Sequence, residues 1–233
     1  MINRSGSVIT DVIHLMQLEE YKSKFADDSS PGWDALNVPL QGLYDEQEPK
    51  HWGTILSHML GGPDPLDGVS AYSCDGEIDH LHFVTFGYSS LYYDEESVGH
   101  DFSKFGFEMT FRLASKLPPE SDPIWVVNFL QNIARYVFES GKHFAQYHFI
   151  PANGPIHADS ETEIVGLAFD YDTVLPNHVQ TPHGQVEFIQ GFGLIQNEID
   201  SLMDKSKTVK EILDEHRQSN PLLVTDLARK NGG

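Results

Sequence analysis

The residues with the greatest chemical potential are His80 and His82 in the stretch "DHLH". On a strand, positions i and i+2 point to the same face, so two imidazoles at this spacing could share a metal ion. A metal site needs three or four converging ligands. His51, His58, His100, His143, His148, His157, His178 and His183 could supply a third, but spacing places none of them, and no HExxH or paired-cysteine pattern occurs. Carboxylates offer a second chemistry: Glu108 with Asp170 or Asp172 could form a general acid and base pair on adjoining strands. The alternative for Glu108 is a cross-strand or same-face ion pair, with Arg112 the nearest candidate. A nucleophile is harder to find. Cys74 stands beside Asp75, whose charge would raise the thiol pKa, and there is no GxSxG elbow. Phosphate-cradling glycine patterns are absent too, "GFG" at 191–193 being too short. These residues support a non-enzymatic protein, with a metal-dependent hydrolase built on the His80 and His82 pair as the alternative.

The elements that would carry these side chains follow from periodicity. Apolar residues recur at helical steps from Ser7 to about Phe25, and "ADDSSPG" ends that helix. The run 78–93 is rich in aromatic and β-branched residues and is expected to form a strand inside a sheet. "FGFEMTFRL" alternates Phe105, Phe107, Met109, Phe111 and Leu113 with Glu108, Thr110 and Arg112, a strand pattern. "SDPIWVVNFLQNIARYVFESG" reads as a helix capped by Asp122, with Pro123 at its first position and a stop near Gly141. "EIVGLAFDYD" and "GQVEFIQGFGLI" predict two more strands, the second running into a helix through Ile199 and Leu202. Thr208 and Glu211 stand in capping-box register before a last helix that Pro221 ends. The expected fold is α+β, a mixed, mostly antiparallel sheet flanked by helices, with residues 1–32 as an N-terminal helix and linker packed on a domain of residues 33–230.

Composition narrows the partners. The chain has 233 residues, 39% of them apolar, and a formal charge of −20 from 15 basic and 35 acidic residues. That charge repels nucleic acid and anionic lipid and steers in basic partners. No apolar run is long enough to span a bilayer, and Arg4, Asp11 and His14 interrupt what would be a signal peptide's core. With a single cysteine, Cys74, no intramolecular disulfide can form, and a reducing, cytoplasmic setting is expected. Tyr88, Leu91, Tyr92 and Tyr93 follow the expected central strand, where they could line a groove for an extended peptide added to the sheet.

"LGGPDPLDGVSAY" followed by "HLHFVTFGYSSLY", "FGFEMTFRL", "ARYVFES", "VQTPHGQVEFIQ" and "LLVTDLAR" resembles the suppressor of fused family, in order from about Trp33 to Arg229. The resemblance implies an α+β domain without known catalysis or cofactor, whose animal members clamp an extended peptide of Gli transcription factors between two domains. No second, C-terminal domain is expected from this sequence, so Gli binding is not expected to carry over. Glu108 matches a family position near the peptide groove, and Phe83 and Asp94 are looser correspondences. With Tyr92 these form the expected partner-binding set. The short chain looks like the bacterial branch, whose members have been placed among immunity proteins that neutralise toxins. The acids Asp64 and Asp67 of the Gly-Gly-Pro-Asp-Pro stretch are expected to cap turns, with Pro63 and Pro65 holding the connector extended.

Overall fold

The computed structural model describes residues 4–45, 47–56, 58, 61–114, 123–158 and 160–230. Two helices open the chain, α1 (Arg4–Lys24) and α2 (Pro31–Tyr44). Strands β1 (Lys50–Gly53), β2 (Gly68–Cys74), β3 (His80–Phe86) and β4 (Phe102–Ala114) follow, then helix α3 (Ile124–Ser140). The second half holds β5 (Phe149–Pro151), β6 (Ile164–Tyr171), β7 (His178–Thr181), β8 (Gly184–Ile195), α4 (Gln196–Met203) and α5 (Val209–Arg217). The strands form one sheet in the order β1-β2-β3-β4-β8-β6-β5, with β7 pairing β8 beyond the end of β6. Every pairing is antiparallel except that of β4 with β8. This is the α+β fold with a mostly antiparallel sheet that the periodicity predicts.

The alternation in β4 decides how the layers stack. Phe107, Met109, Phe111 and Leu113 enter the main core against Val126, Leu130, Ala134 and Val137 of α3. The intervening Glu108, Thr110 and Arg112 are buried as well. A second cluster explains part of this: Leu36 and Leu40 of α2 pack on Tyr72, Val84, Phe86 and Phe188. A third lies where α4 and α5 meet β6 and β8 through Ile199, Leu202, Ile212 and Leu213. Burying side chains of this size contributes about 1.5–3 kcal/mol each, so the helices are held by packing more than by propensity.

The chain ends in a strap. After α5, Thr225 donates its N–H to Arg112 O (2.8 Å), and its O accepts from Ala114 N (2.9 Å). Its hydroxyl accepts from Gly193 N at 3.0 Å. Since Ala114 ends β4 and Gly193 lies in β8, Thr225 fills the gap where the two parallel strands separate.

Several expectations need correction. The strand expected over 78–93 stops at Phe86, and the rest forms turns. Helix α2 was not foreseen: Gly32, Pro39 and Gly42 within "PGWDALNVPLQGLY" hide its period. The stripe expected to bury α1 leaves Leu15 and Met16 exposed, while Val8, Ile9, Val12 and Ile13 have side chains outside the described set. The expected Asp122 cap of α3 lies outside the described residues. The capping box of α5 is present, Thr208 Oγ1 accepting from Glu211 N and Glu211 from Thr208 N.

Candidate partner-binding surface

The turn after β3 is built around one buried carboxylate. Glu108 Oε1 accepts from Gly87 N (3.0 Å), Ser89 N (2.9 Å) and Ser89 Oγ (2.6 Å), and Oε2 accepts from Thr85 Oγ1 (2.8 Å). Burial pushes its pKa up, against the pull of those four bonds. Lys104 closes the turn from the other side. Its ammonium donates to Gly87 O at 2.7 Å and lies 4.4 Å from the centre of the Phe138 ring. Gly87 has φ +140°, and a Cβ there would come within 2.8 Å of Asp67 N, so the two connectors touch backbone to backbone.

The connector just before that contact is tied to α3. Leu66 N donates to Gln131 Oε1 and Leu66 O accepts from Gln131 Nε2, both at 3.1 Å. Asp64 pairs with Arg135. Burial, then the charge and hydrogen bond of Asp67, raises the pKa of the Tyr92 hydroxyl. Asp64 thus holds the connector to α3 instead of capping a turn as expected, and Asp67 meets Tyr92.

The segment beyond the turn is fastened to the N-terminal helices. Leu91 O accepts from Gly32 N and Trp33 N, and Ser29 O accepts from Tyr93 N. Asp94 caps the short 3-10 turn Glu95–Ser97 through Glu96 N (3.0 Å) and Ser97 Oγ. Its own N–H donates to Tyr21 Oη at 3.0 Å. Tyr21 in turn donates to His183 Nε2 at 2.8 Å, and His183 Nδ1 donates to Ser90 O at 2.9 Å. Burial lowers the His183 pKa, which fits this neutral tautomer. A single phenol therefore joins α1, the segment 90–94 and the β7–β8 hairpin. Beside it opens a cleft of about 1030 Å³, lined by α1, α2, residues 98–102 and the hairpin.

The four residues expected to touch a partner divide in two. Glu108 and Phe83 are each 0% exposed. This corrects their expected place at a groove surface: Glu108 supports the turn and Phe83 fills the main core beside Phe111. Tyr92, 42% exposed, and the Asp94 turn lie at the surface that Glu108 supports. Tyr21 and Lys104 were missed, and His183, considered above only as a third metal ligand, bonds Tyr21 and Ser90 instead. Only the turn residues around "TPHGQ" mark His183 in the sequence, and Tyr21 and Lys104 carry no local signal.

His80 and His82 do share a face, yet both are committed elsewhere. His80 Nδ1 bonds Ile78 O at 2.8 Å, and Arg112 Nη1 donates to its Nε2 at 2.9 Å. His82 Nδ1 meets Tyr44 Oη, and its Nε2 lies 3.0 Å from Asp172 Oδ2. Burial lowers both imidazole pKa values. Asp172 also accepts from Thr110 Oγ1, Arg112 Nη2, Val174 N and Leu175 N. Burial alone would raise its pKa, but His82, Arg112 and the Leu175 amide hold it well below the usual carboxylate range. The expected Glu108–Arg112 pairing is thus replaced by Arg112–Asp172 at 3.2 Å. Among the described residues, no group of three or more His, Cys, Asp or Glu side chains could hold a metal ion.

Comparison with known proteins gives a consistent picture. The family model described as suppressor of fused protein matches residues 62–230. Over 210 residues the chain is 35% identical to the suppressor of fused homolog of Homo sapiens and 34% identical to that of Mus musculus. Each alignment covers 85% of this chain and 43% of the relative, so the chain spans less than half the length of these curated relatives. A crystal structure of Drosophila Suppressor of Fused is similar with a TM-score of 0.79 and 30% identity, covering 89% of this chain and 52% of that one. A chain of the Sufu–Fu complex crystal structure is similar at the same TM-score and identity, over 88% of this chain and 93% of that one.

Proposed function

Because the chain belongs to the suppressor of fused family, we propose that it is a non-enzymatic protein-binding module that captures another polypeptide at the surface carrying Tyr92 and Asp94. The observation that carries this reading is the fastening of residues 87–98, where Glu108, Lys104, Tyr21 and His183 fix the backbone behind an exposed aromatic and acidic ridge. Such pre-organisation lowers the ordering cost of binding. A similar chain crystallised as part of the Sufu–Fu complex, which supports assembly with another protein.

The formal charge of −20 favours a basic partner through steered association. A basic toxin that attacks nucleic acid has this chemistry, and an immunity role would follow if such a protein were the one captured. Affinity capture at low salt followed by mass spectrometry tests the reading. The captured protein should bind the purified chain in a calorimeter, and Tyr92→Ala should weaken it at least about tenfold, as for a central aromatic contact. Unchanged affinity for the variant, or capture of no protein at all, counts against it, as does turnover of a small molecule.

A further inference from the structure

Resting on that reading, we propose that the cleft between α1, α2 and the β7–β8 hairpin receives a basic segment of the partner. A bulky apolar side chain of that segment sits between Val38 and Phe102, and its lysine or arginine side chains face Glu20, Asp34 and Asp101.

The cleft combines two features that seldom coincide on a surface this acidic. Val38 is 67% exposed and Phe102 53%, and the two come from different elements yet line the same space. Exposed apolar side chains gathered in a concavity mark an interaction site more often than ones scattered singly. Its volume of about 1030 Å³ lies at the upper end of the roughly 300–1,000 Å³ typical of small-molecule pockets, a size suited to a piece of chain.

Charge selects the occupant. Some acids elsewhere have cations beside them, Glu95 with Lys22, Asp64 with Arg135, Asp170 with Arg217 and Glu198 with Arg229, but 15 basic residues cannot match 35 acidic ones, and what sets the cleft apart is that its acids stand around exposed apolar side chains. Among the described residues, no ion pair engages Glu20, Asp34 or Asp101. The cationic side of the lining is Lys24, whose ammonium lies 5.2 Å from the Phe25 ring centre, and the imidazole of His100 lines the cleft as well. An acidic peptide, an anionic lipid surface or a second copy of this chain would each bring negative charge to negative charge. A lysine- or arginine-bearing segment gains from both the local acids and the long-range field.

The probe is a fluorescent peptide of about a dozen residues with one tryptophan among lysines, read by anisotropy on the full chain at about 0.15 M salt, where charge effects beyond about 8 Å are screened. Two companions replace tryptophan with serine or lysine with glutamate. The serine peptide should bind about tenfold more weakly and the glutamate peptide not measurably, as expected for an apolar anchor with charge steering. The triple variant Glu20→Gln, Asp34→Asn, Asp101→Asn should weaken the lysine peptide about tenfold, and Val38→Asp should do the same. Glu77→Gln, Glu139→Gln, Glu161→Gln removes the same charge from exposed positions outside the cleft and should change binding less than about twofold, since screening weakens distant charges. Equal losses in both triple variants, or no difference between the tryptophan and serine peptides, overturn the inference. If the captured natural partner binds the cleft variants normally but loses Tyr92→Ala, the cleft is not its site and the protein-binding reading still stands.

Discussion

Replacing Glu108 separates support of the turn from contact with a partner. In Glu108→Ala the N–H groups of Gly87 and Ser89 lose their acceptor inside the protein, while the Thr85 and Ser89 hydroxyls can rotate. Two orphaned buried amides cost about 1–3 kcal/mol each, and removing a buried carboxylate returns part of that, leaving a loss of about 2–4 kcal/mol. In Glu108→Gln the amide oxygen can keep the three bonds made at Oε1. The new NH₂ group meets Thr85 Oγ1, which already accepts from Met109 N and has a second lone pair. The loss should stay within about 1 kcal/mol.

Urea unfolding followed by tryptophan fluorescence and circular dichroism reads both values, and amide exchange at residues 87 and 89 reports the turn itself. The pH dependence has a fixed sign. A carboxyl whose folded pKa is raised gives stability that is complete below its unfolded value and is lost as pH rises through the folded one. Glutamine imitates the protonated form, so it should compare more favourably with wild type at pH 7 than at pH 4. If alanine costs under about 0.5 kcal/mol, glutamine is as damaging as alanine, or the pH trend runs the other way, the account of Glu108 as a buried support is wrong.

Two further outcomes concern the buried histidines and the polar layer under α2. Burial lowers the pKa values of His51, His80, His82 and His183. A depressed imidazole contributes stability that is present above its unfolded value near 6.5 and is lost as pH falls from there toward the folded pKa, at up to about 1.4 kcal/mol per pH unit for each histidine that stays neutral. Unfolding free energy should therefore drop between pH 7 and 5, and His82→Gln should flatten that slope whatever it does to stability at pH 7. Asp172→Asn leaves Arg112, which is 1% exposed, without its counter-charge, a loss of about 3–5 kcal/mol that a thermal melt measures directly. A variant as stable as wild type would show that Arg112 finds its balance elsewhere.

What the sequence conveys about this fold depends on whether an element carries its own period. The alternation in β4, the long apolar stripe of α3 and the capping box of α5 are local, and the corresponding elements form. Strands β1, β5 and β7, of three or four residues, exist only because a neighbour offers a hydrogen-bonding edge, which no window of their own sequence records. Helix α2 carries proline and glycine in its interior and is held by Leu36 and Leu40 packing on the sheet. The same limit applied to the site. "DHLH" states that two imidazoles share a face, but what that face meets depends on Tyr44 of α2 and Asp172 just past β6, which only the fold brings together.

The polar layer also bears on the proposed capture at the rim. Between β3, β4 and β8, Arg112 reaches His80, Asp172 and Gln190, and Gln190 Nε2 in turn donates to Leu222 O and Leu223 O of the strap. Each partner in this chain satisfies a group that would be costly to leave bare in a low-dielectric interior. The network therefore resists any rearrangement that would open the sheet to admit a guest strand at its centre, because opening it would strand a buried guanidinium and a buried carboxylate together. The segment from Gly87 to Phe102 is free of that constraint: its internal bonds run back into the protein through Glu108, Tyr21 and Lys104, while Tyr92, the Asp94 turn and Phe102 face outward. A scaffold locked by buried charge and a rim held from behind is an arrangement in which a partner can be gripped without the core having to move.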